Sequence, residues 1–261
     1  MQRFLSFTLL IILTQLSVAN ASALNEQQLA EILSHPDRPA EDNKRDKARQ
    51  PAKIMAFTDV TAGDHVLDLF AGGGWYSELF SRAVGENGKV YVQNDEVIWR
   101  FAEKVINERT KDNRLPNISR FDKIAIADIK VPDNSLDIVF TALNYHDLYF
   151  THSVRDGKKV QLREDIVDYK AAFATVKKAM KEDGLLIIID HAAKPGSGYH
   201  TANTIHRIDP NIVKFQMNDA GFKLVEEAYY LRNTNDDLDK QVFEPGIRGK
   251  TDRFIYKFTK K

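Results

Sequence analysis

His65-Val66-Leu67-Asp68-Leu69-Phe70-Ala71-Gly72-Gly73-Gly74-Trp75-Tyr76 is the stretch that decides how this chain folds. An apolar run carries an acid near its end, a glycine triplet follows, and helix-forming residues come next. That order spells strand, tight turn and helix, the unit doubly wound α/β proteins use to present a nucleotide-like ligand. Glycine suits such a turn because it adopts positive φ and keeps side chains out of the ligand's way. The helix after the turn aims its free N–H groups at whatever occupies it. A tight strand-to-helix turn with no ligand has the same sequence signature, so the triplet alone leaves both readings open.

The pattern repeats outward from this stretch. Helices are predicted over residues 75–84 and 98–111, around a second strand at 89–93. The third strand is expected within 118–127, most simply at 123–127, and Pro132-Asp133-Asn134-Ser135 turns the chain into a fourth at 136–142. Residues 144–163 show no periodicity, and an irregular segment of that length reads as a lid or binding loop. A helix over 164–181 carries Ile166, Tyr169, Phe173, Val176 and Met180 on one side and stops at Gly184. Leu185 to Ile189 is apolar at every position before Asp190, as in a strand covered on both faces of a parallel sheet. A helix at 210–219 and strands at 223–231 and 253–258 complete the chain. The last two strands have no helix between them, which predicts an antiparallel ending. The expected fold is α/β: a doubly wound, seven-stranded, mostly parallel sheet with an antiparallel last strand. Ligands in such sheets bind beyond the carboxyl ends of the strands, where strand order reverses. Asp68, Asn94, Asp128, Asn144 and Asp190 all lie at or just past such ends, so one edge should gather them.

The N-terminal region is of another kind. Arg3, an apolar run from Phe4 to Leu16 and the overlapping Ala19-Asn20-Ala21 and Ala21-Ser22-Ala23 sites read as a secretory signal peptide. The run is shorter than the roughly 18–20 residues a membrane span needs, so no stable membrane insertion is expected after cleavage. Residues 1–23 are therefore expected to be removed, and 24–261 to form a single domain with 24–60 as a helical extension. Within that extension, Asn25 and Gln28 resemble a capping box, and Pro51 opens a short helix. The dense charge run ending at Arg49 reads as a solvated connector.

The 261 residues include 37 basic and 37 acidic side chains and no cysteine. Balanced charge leaves no basic footprint for nucleic acid. The absence of cysteine suits an oxidising compartment. The expected location is periplasmic or secreted.

Taken together, the motifs resemble the class I S-adenosylmethionine-dependent methyltransferases. Val66-Leu67-Asp68-Leu69-Phe70-Ala71-Gly72-Gly73-Gly74 is similar to their first motif, with Phe70 where the family often has its first glycine. Asp133-Asn134-Ser135-Leu136-Asp137-Ile138-Val139 resembles their turn into strand four, and Lys178 to Leu186 their entry into strand five. Asn144-Tyr145-His146-Asp147, Asp190-His191-Ala192-Ala193, His206-Arg207-Ile208-Asp209 and the segment Arg248 to Arg253 resemble a group of bacterial, often exported methyltransferases. The resemblance implies a Rossmann-like fold, S-adenosylmethionine as cofactor and methyl transfer to a small-molecule acceptor. It places Asp68, Gly72, Gly73 and Gly74 around the cofactor's aminoacyl end and Asp128 at the adenine amino group. Asn94 stands where the family has an acid on the ribose hydroxyls, with Asp95 as a neighbouring substitute, and Asn144 joins the cofactor-binding set.

Methyl transfer from a sulfonium is an in-line displacement in which the protein chiefly aligns the acceptor. A hydroxyl or amine acceptor calls for a base. His146, His191 and His206 are the candidates, with Asp147 and Asp190 to orient an imidazole or hold a substrate amine. Arg207, Arg248 and Lys250 are candidates for clamping an anion. Tyr145, Tyr149, Phe150 and Tyr199 either wall an aromatic pocket or pack a lid. No tight ligand spacing such as H-E-x-x-H occurs, so no metal is expected, although Asp147, Asp190 and the histidines can converge. Two rivals stand beside the methyltransferase. One is an exported, non-catalytic binding protein. The other is an NAD-dependent oxidoreductase, whose fingerprint lacks its third small residue here because Ser77 follows Trp75 and Tyr76.

Overall fold

The computed structural model describes residues 23–155 and 157–261; the expected export segment, apart from Ala23, lies outside the described residues. Seven strands form the main sheet: β1 (His65–Leu69), β2 (Lys89–Asn94), β3 (Ile118–Asp122), β4 (Leu136–Ala142), β7 (Met180–His191), β8 (Phe222–Ala228) and β9 (Arg253–Lys260). They run in the order β3-β2-β1-β4-β7-β9-β8. All neighbours pair parallel except β9, which is antiparallel to both β7 and β8. The strand order reverses between β1 and β4, which places a crevice at their carboxyl ends. A separate hairpin, β5 (His152–Arg155) and β6 (Lys158–Gln161), stands over that edge.

Side-chain alternation explains why the central strands read as unbroken apolar runs. Leu186 and Ile188 of β7 pack into the core on one face, with Leu67, Leu69, Phe173 and Phe222. Ile187 and Ile189 enter the other, with Val66, Leu79, Phe80 and Phe140. Helices α4 (Trp75–Val84), α5 (Glu96–Arg109), α6 (Tyr169–Ala179) and α8 (Pro210–Asp219) cover the sheet. A four-residue helix, α7 (Ala202–Ile205), lies in the loop after β7.

Three local expectations are corrected. The third strand lies within the expected 118–127, but it is Ile118–Asp122 and not 123–127. It lies at the sheet edge, with one neighbour and every residue half-buried, so it carries no apolar signal. The apolar Ile126 instead belongs to a 3₁₀ turn, Ile126–Asp128, and is buried with Ile129 in the core. The helix expected from 164 starts at Tyr169, because the Asp168 carboxylate accepts from the N–H groups of Lys170 (2.8 Å) and Ala171 (3.3 Å). The charge run before Arg49 is no solvated connector. It forms helix α2 (Ala40–Arg49), between α1 (Glu26–Leu33) and α3 (Pro51–Phe57).

Buried ion pairs fasten α2 to the body. Glu78 on α4 takes hydrogen bonds from Arg82 and from both Arg114 Nη atoms at 2.7 Å, and from Arg109 at 2.5 Å. Arg109 also reaches Asp42 of α2 at 2.7 Å. Arg38, just before α2, pairs with Asp46 at 2.8 Å. Burial opposes ionisation of Glu78, but Arg114, Arg82 and Arg109 outweigh it and hold the carboxyl down at about 2. Removing one charge from such a cluster strands the others without compensation. Glu78→Gln is therefore expected to lower the unfolding free energy by about 3–5 kcal/mol in urea denaturation. A loss below about 1 kcal/mol would mean that the cluster behaves as a solvated surface network.

Candidate active site

The site begins in the turn after β1. Phe70, Gly72 and Gly74 have φ of +49°, +56° and +74°. The position of the expected family glycine thus has glycine-like backbone geometry, occupied by a buried Phe whose side chain is anchored in the core. Left-handed backbone at a bulky residue costs on the order of 1–3 kcal/mol and persists only where packing imposes it. The three glycines differ in purpose. A Cβ on Gly73 would sit 2.5 Å from Val105 Cγ1, and one on Gly74 would sit 2.7 Å from Ile106 Cδ1. These two let α5 approach. A Cβ on Gly72 would meet nothing within 4 Å, because that residue faces open space.

Side chains from neighbouring strand ends clamp the turn. Asn94 accepts from Gly72 N–H at 2.8 Å and donates to Gly72 C=O at 3.1 Å. Gln93 accepts from Phe70 N–H at 3.1 Å, and Asn144 donates to Phe70 C=O at 2.5 Å. Asn94 is fully buried with both amide atoms committed to the turn, so it is not free for ribose hydroxyls. Asp95 is committed as well. It caps α5 through the N–H groups of Val97 and Ile98, both at 2.9 Å, and pairs with Arg163 at 2.9 Å. Asp128 is exposed at the end of its 3₁₀ turn, six residues beyond β3.

Two adjoining cavities open above the turn. The smaller, about 280 Å³, reaches Asp68, Gly72, Gly73, Trp75, Tyr76 and Arg49. Asp68 is buried and accepts a hydrogen bond from Ser77 Oγ at 2.6 Å. Burial lifts its carboxyl from the ordinary 3.8 to about 7, against the opposing pull of Ser77 and Arg49. Arg49, the last residue of α2, lies over the Trp75 ring at 4.6 Å and the Tyr76 ring at 5.6 Å. Sequence reasoning missed Arg49. The signal was present: Arg38, Asp42, Asp46 and Arg49 recur at helical spacing, which gives the charge run one consistent face.

The larger cavity, about 450 Å³, shares Gly72, Asn144 and Arg49 with the first and is walled by His146, Asp147, His191 and His206. His146 and Asp147 lie in a 3₁₀ turn, Tyr145–Tyr149, directly after β4. Asp190, near the end of β7, accepts from His146 N–H at 2.7 Å and lies 2.9 Å from His146 Nδ1. His146 Nε2 is 3.3 Å from His206 Nδ1. Burial disfavours a charged His146, yet Asp190 and Asp147 outweigh it and raise the ring to about 9. Burial also lifts Asp147 to about 6. The same burial, with His146 adding repulsion, pushes His206 down to about 3 and His191 well below its ordinary value. The His191 ring meets Thr251 Oγ1 at 2.7 Å.

The other candidates separate by burial. Arg207 is fully buried and grips Asp236 at 2.8 and 3.0 Å, so it is a strut and no substrate clamp. Arg248 and Lys250 are exposed and line neither cavity. Tyr145 donates to Gln216 at 2.8 Å, and Tyr149 bonds the same amide and stacks on Tyr199 at 4.5 Å. These tyrosines pack the loop, whereas Phe150 walls the larger cavity. Phe101, Val154 and Phe243, none of them anticipated, complete that wall and are largely exposed at its mouth.

No protein-family model matches the chain, and no curated protein matches it. Solved structures do resemble it. An S-adenosylmethionine-dependent methyltransferase from Aquifex aeolicus superposes with a TM-score of 0.57 at 20% identity, covering 89% of this chain and 98% of that one. A geranyl diphosphate C-methyltransferase from Streptomyces coelicolor gives 0.56 at 12% identity, covering 88% and 89%. A putative sarcosine dimethylglycine methyltransferase from Galdieria sulphuraria gives 0.55 at 15% identity, covering 92% of each chain. The fold is that of the class I methyltransferases, Rossmann-like, as expected.

The raised Asp68 carboxyl has a signed consequence. Between the ordinary 3.8 and about 7, the folded chain holds a proton that the unfolded chain has released. Stability therefore falls as pH rises through that window. Asp68→Asn removes the titration, so the wild type should lose stability relative to the variant between pH ~5 and pH ~8 in paired denaturation curves. Equal offsets at both pH values would return Asp68 to ordinary ionisation.

Proposed function

We propose that this protein is an S-adenosylmethionine-dependent methyltransferase acting on a small-molecule acceptor. One observation carries the reading. At the switch point of a class I methyltransferase sheet, a buried Asp68 and a half-buried Arg49 border the same cavity, beside the open face of Gly72. An amino-acid zwitterion matches that pair: its ammonium compensates the buried Asp68 carboxylate, and its carboxylate meets Arg49 and the turn. S-adenosylmethionine ends in such a zwitterion. A dinucleotide would bring a pyrophosphate to Asp68 and no ammonium to pair with it. Its fingerprint is also incomplete.

The cavities divide the labour. Asp68 and Arg49 would hold the aminoacyl end in the smaller cavity, and the larger cavity, which shares Gly72 and Asn144 with it, would receive the acceptor. Phe101, Phe150, Val154 and Phe243 give that cavity an apolar wall. When bound, S-adenosylmethionine would supply an electrophilic methyl group to the acceptor's lone pair, the sulfur keeping the electrons of the broken bond as a neutral thioether. The chain's own contribution is alignment of the acceptor. Ribose contacts cannot come from Asn94 as it stands, so cofactor grip depends more heavily on the aminoacyl end.

The reading extends to residues 24–261 as one catalytic unit, exported by residues 1–23 and related to the exported bacterial group. The signal-like N-terminus and the quoted motifs support that part. Among the described residues, no helix is long and apolar enough to cross a membrane.

Calorimetric titration with S-adenosylmethionine, S-adenosylhomocysteine and NAD tests the proposal. Both sulfur ligands should bind and NAD should not. Pairing the ligand ammonium with Asp68 should release a proton near pH ~6, seen as a buffer-dependent heat that Asp68→Asn abolishes. Gly72→Val should block both ligands by filling the open face. No binding of either sulfur ligand at millimolar concentration overturns the reading.

A further inference from the structure

The geometry points to a divalent transition-metal site formed by His146, Asp147 and His206, on the wall of the larger cavity. Among the described residues, these form the one group of three potential ligands whose donor atoms all converge within 4.8 Å. His146 Nε2 lies 3.3 Å from His206 Nδ1 and 3.5 Å from Asp147 Oδ1, and His206 Nδ1 lies 3.9 Å from the same Oδ1. Donors about 2.1 Å from a single tetrahedral ion lie about 3.4 Å from one another. The triangle therefore has the size of one face of such a coordination shell, with little adjustment of any side chain.

The surroundings point the same way. A metal-binding imidazole usually donates its second nitrogen to a carboxylate, which fixes the tautomer and aims the ring. His146 has that arrangement: its Nδ1 lies 2.9 and 3.0 Å from the two oxygens of the fully buried Asp190, leaving Nε2 for the ion. His206 presents Nδ1 from a left-handed backbone at φ +55°, a conformation that costs a non-glycine residue stability and collects at functional sites. The rings of Phe150 and Phe243 lie 4.8 and 5.1 Å from that of His206, an apolar shell around the donors. His191, in the same cavity, is turned to Thr251 and is no ligand.

The donor set selects the ion. Two imidazoles with one carboxylate suit zinc, iron(II) or cobalt(II), whereas magnesium and calcium prefer oxygen donors alone. Three protein ligands beside an open cavity leave coordination positions free, as in catalytic and not structural metal sites. Water would fill them in the absence of an acceptor. A hydroxyl or carboxylate oxygen of the acceptor can take one of them, which would hold it facing the sulfonium; this role rests on the methyl-transfer reading, but the metal site does not.

The test uses the full chain, stripped with a chelator and titrated with Co²⁺ and then Zn²⁺, without cofactor. One Co²⁺ per chain should give the visible absorption of low-coordinate cobalt, lost on displacement by Zn²⁺ and untouched by millimolar Mg²⁺. His206→Ala, at a partly exposed loop position, and Asp147→Asn should each weaken binding by at least ~10–100-fold. His191→Ala should leave it unchanged. No stoichiometric ion, or undiminished binding by His206→Ala, overturns the site. Because the readout is spectroscopic and cofactor-free, an ion bound by a chain that binds no S-adenosylhomocysteine upholds the site and sinks only the cofactor reading.

Discussion

Everything at the cavity-bearing edge of the sheet depends on holding a left-handed turn rigid after β1. The turn must reverse a fully buried strand, admit α5 on one side and leave one peptide face open on the other. Gly73 and Gly74 satisfy the second demand and Gly72 the third. Phe70 carries the strain of the first, held by its N–H bonded to Gln93 and its C=O bonded by Asn144, while Asn94 grips Gly72. Those three side chains come from the ends of β2 and β4, so the clamp also locks the register of the strands that form the crevice. Asn94 illustrates the trade: an amide both accepts and donates, which closes the turn from both sides in a way that a carboxylate cannot.

The buried carboxyls show how environment assigns different tasks to one functional group. Glu78 meets three guanidinium groups and is held ionised, which makes it a fastener for the N-terminal helices. Asp68 has a hydroxyl and a more distant Arg49, and burial lifts its carboxyl to about 7. Asp190 spends its oxygens on His146 and on the N–H of His191. Two of these acids stand at strand ends, where a parallel sheet concentrates ligand contacts. Perturbed groups gathered in one cleft are a mark of function more than of stability.

Much of this was legible in the sequence. The succession of strands along the chain, the glycine turn, the fourth strand, α4, α8 and the antiparallel ending follow from periodicity and punctuation, because central elements bury continuous surfaces. The histidine cluster was legible only as an expectation that strand ends converge; spacing in the chain carries no distance across a crevice, and His146 and His206 meet through the loop after β7. Edge and covering elements were hidden for a related reason. β3 has one neighbour and needs little apolar surface. Helix α2 is held by charge pairs, which look like solvated polarity until their partners on α4 and α5 are known. The hairpin β5–β6 has an exposed β6, so its contribution of Val154 to the cavity left no pattern to read.

The central claim is that Asp68 and the open face of Gly72 hold the amino-acid end of a sulfonium cofactor. A crystal structure of the protein with S-adenosylhomocysteine tests it most directly. The account predicts the ligand's ammonium within hydrogen-bond distance of Asp68, its carboxylate toward Arg49, and its sulfur facing the cavity walled by His146 and His206. A ligand that places its adenine or ribose at Asp68, or that lies outside both cavities, would contradict it.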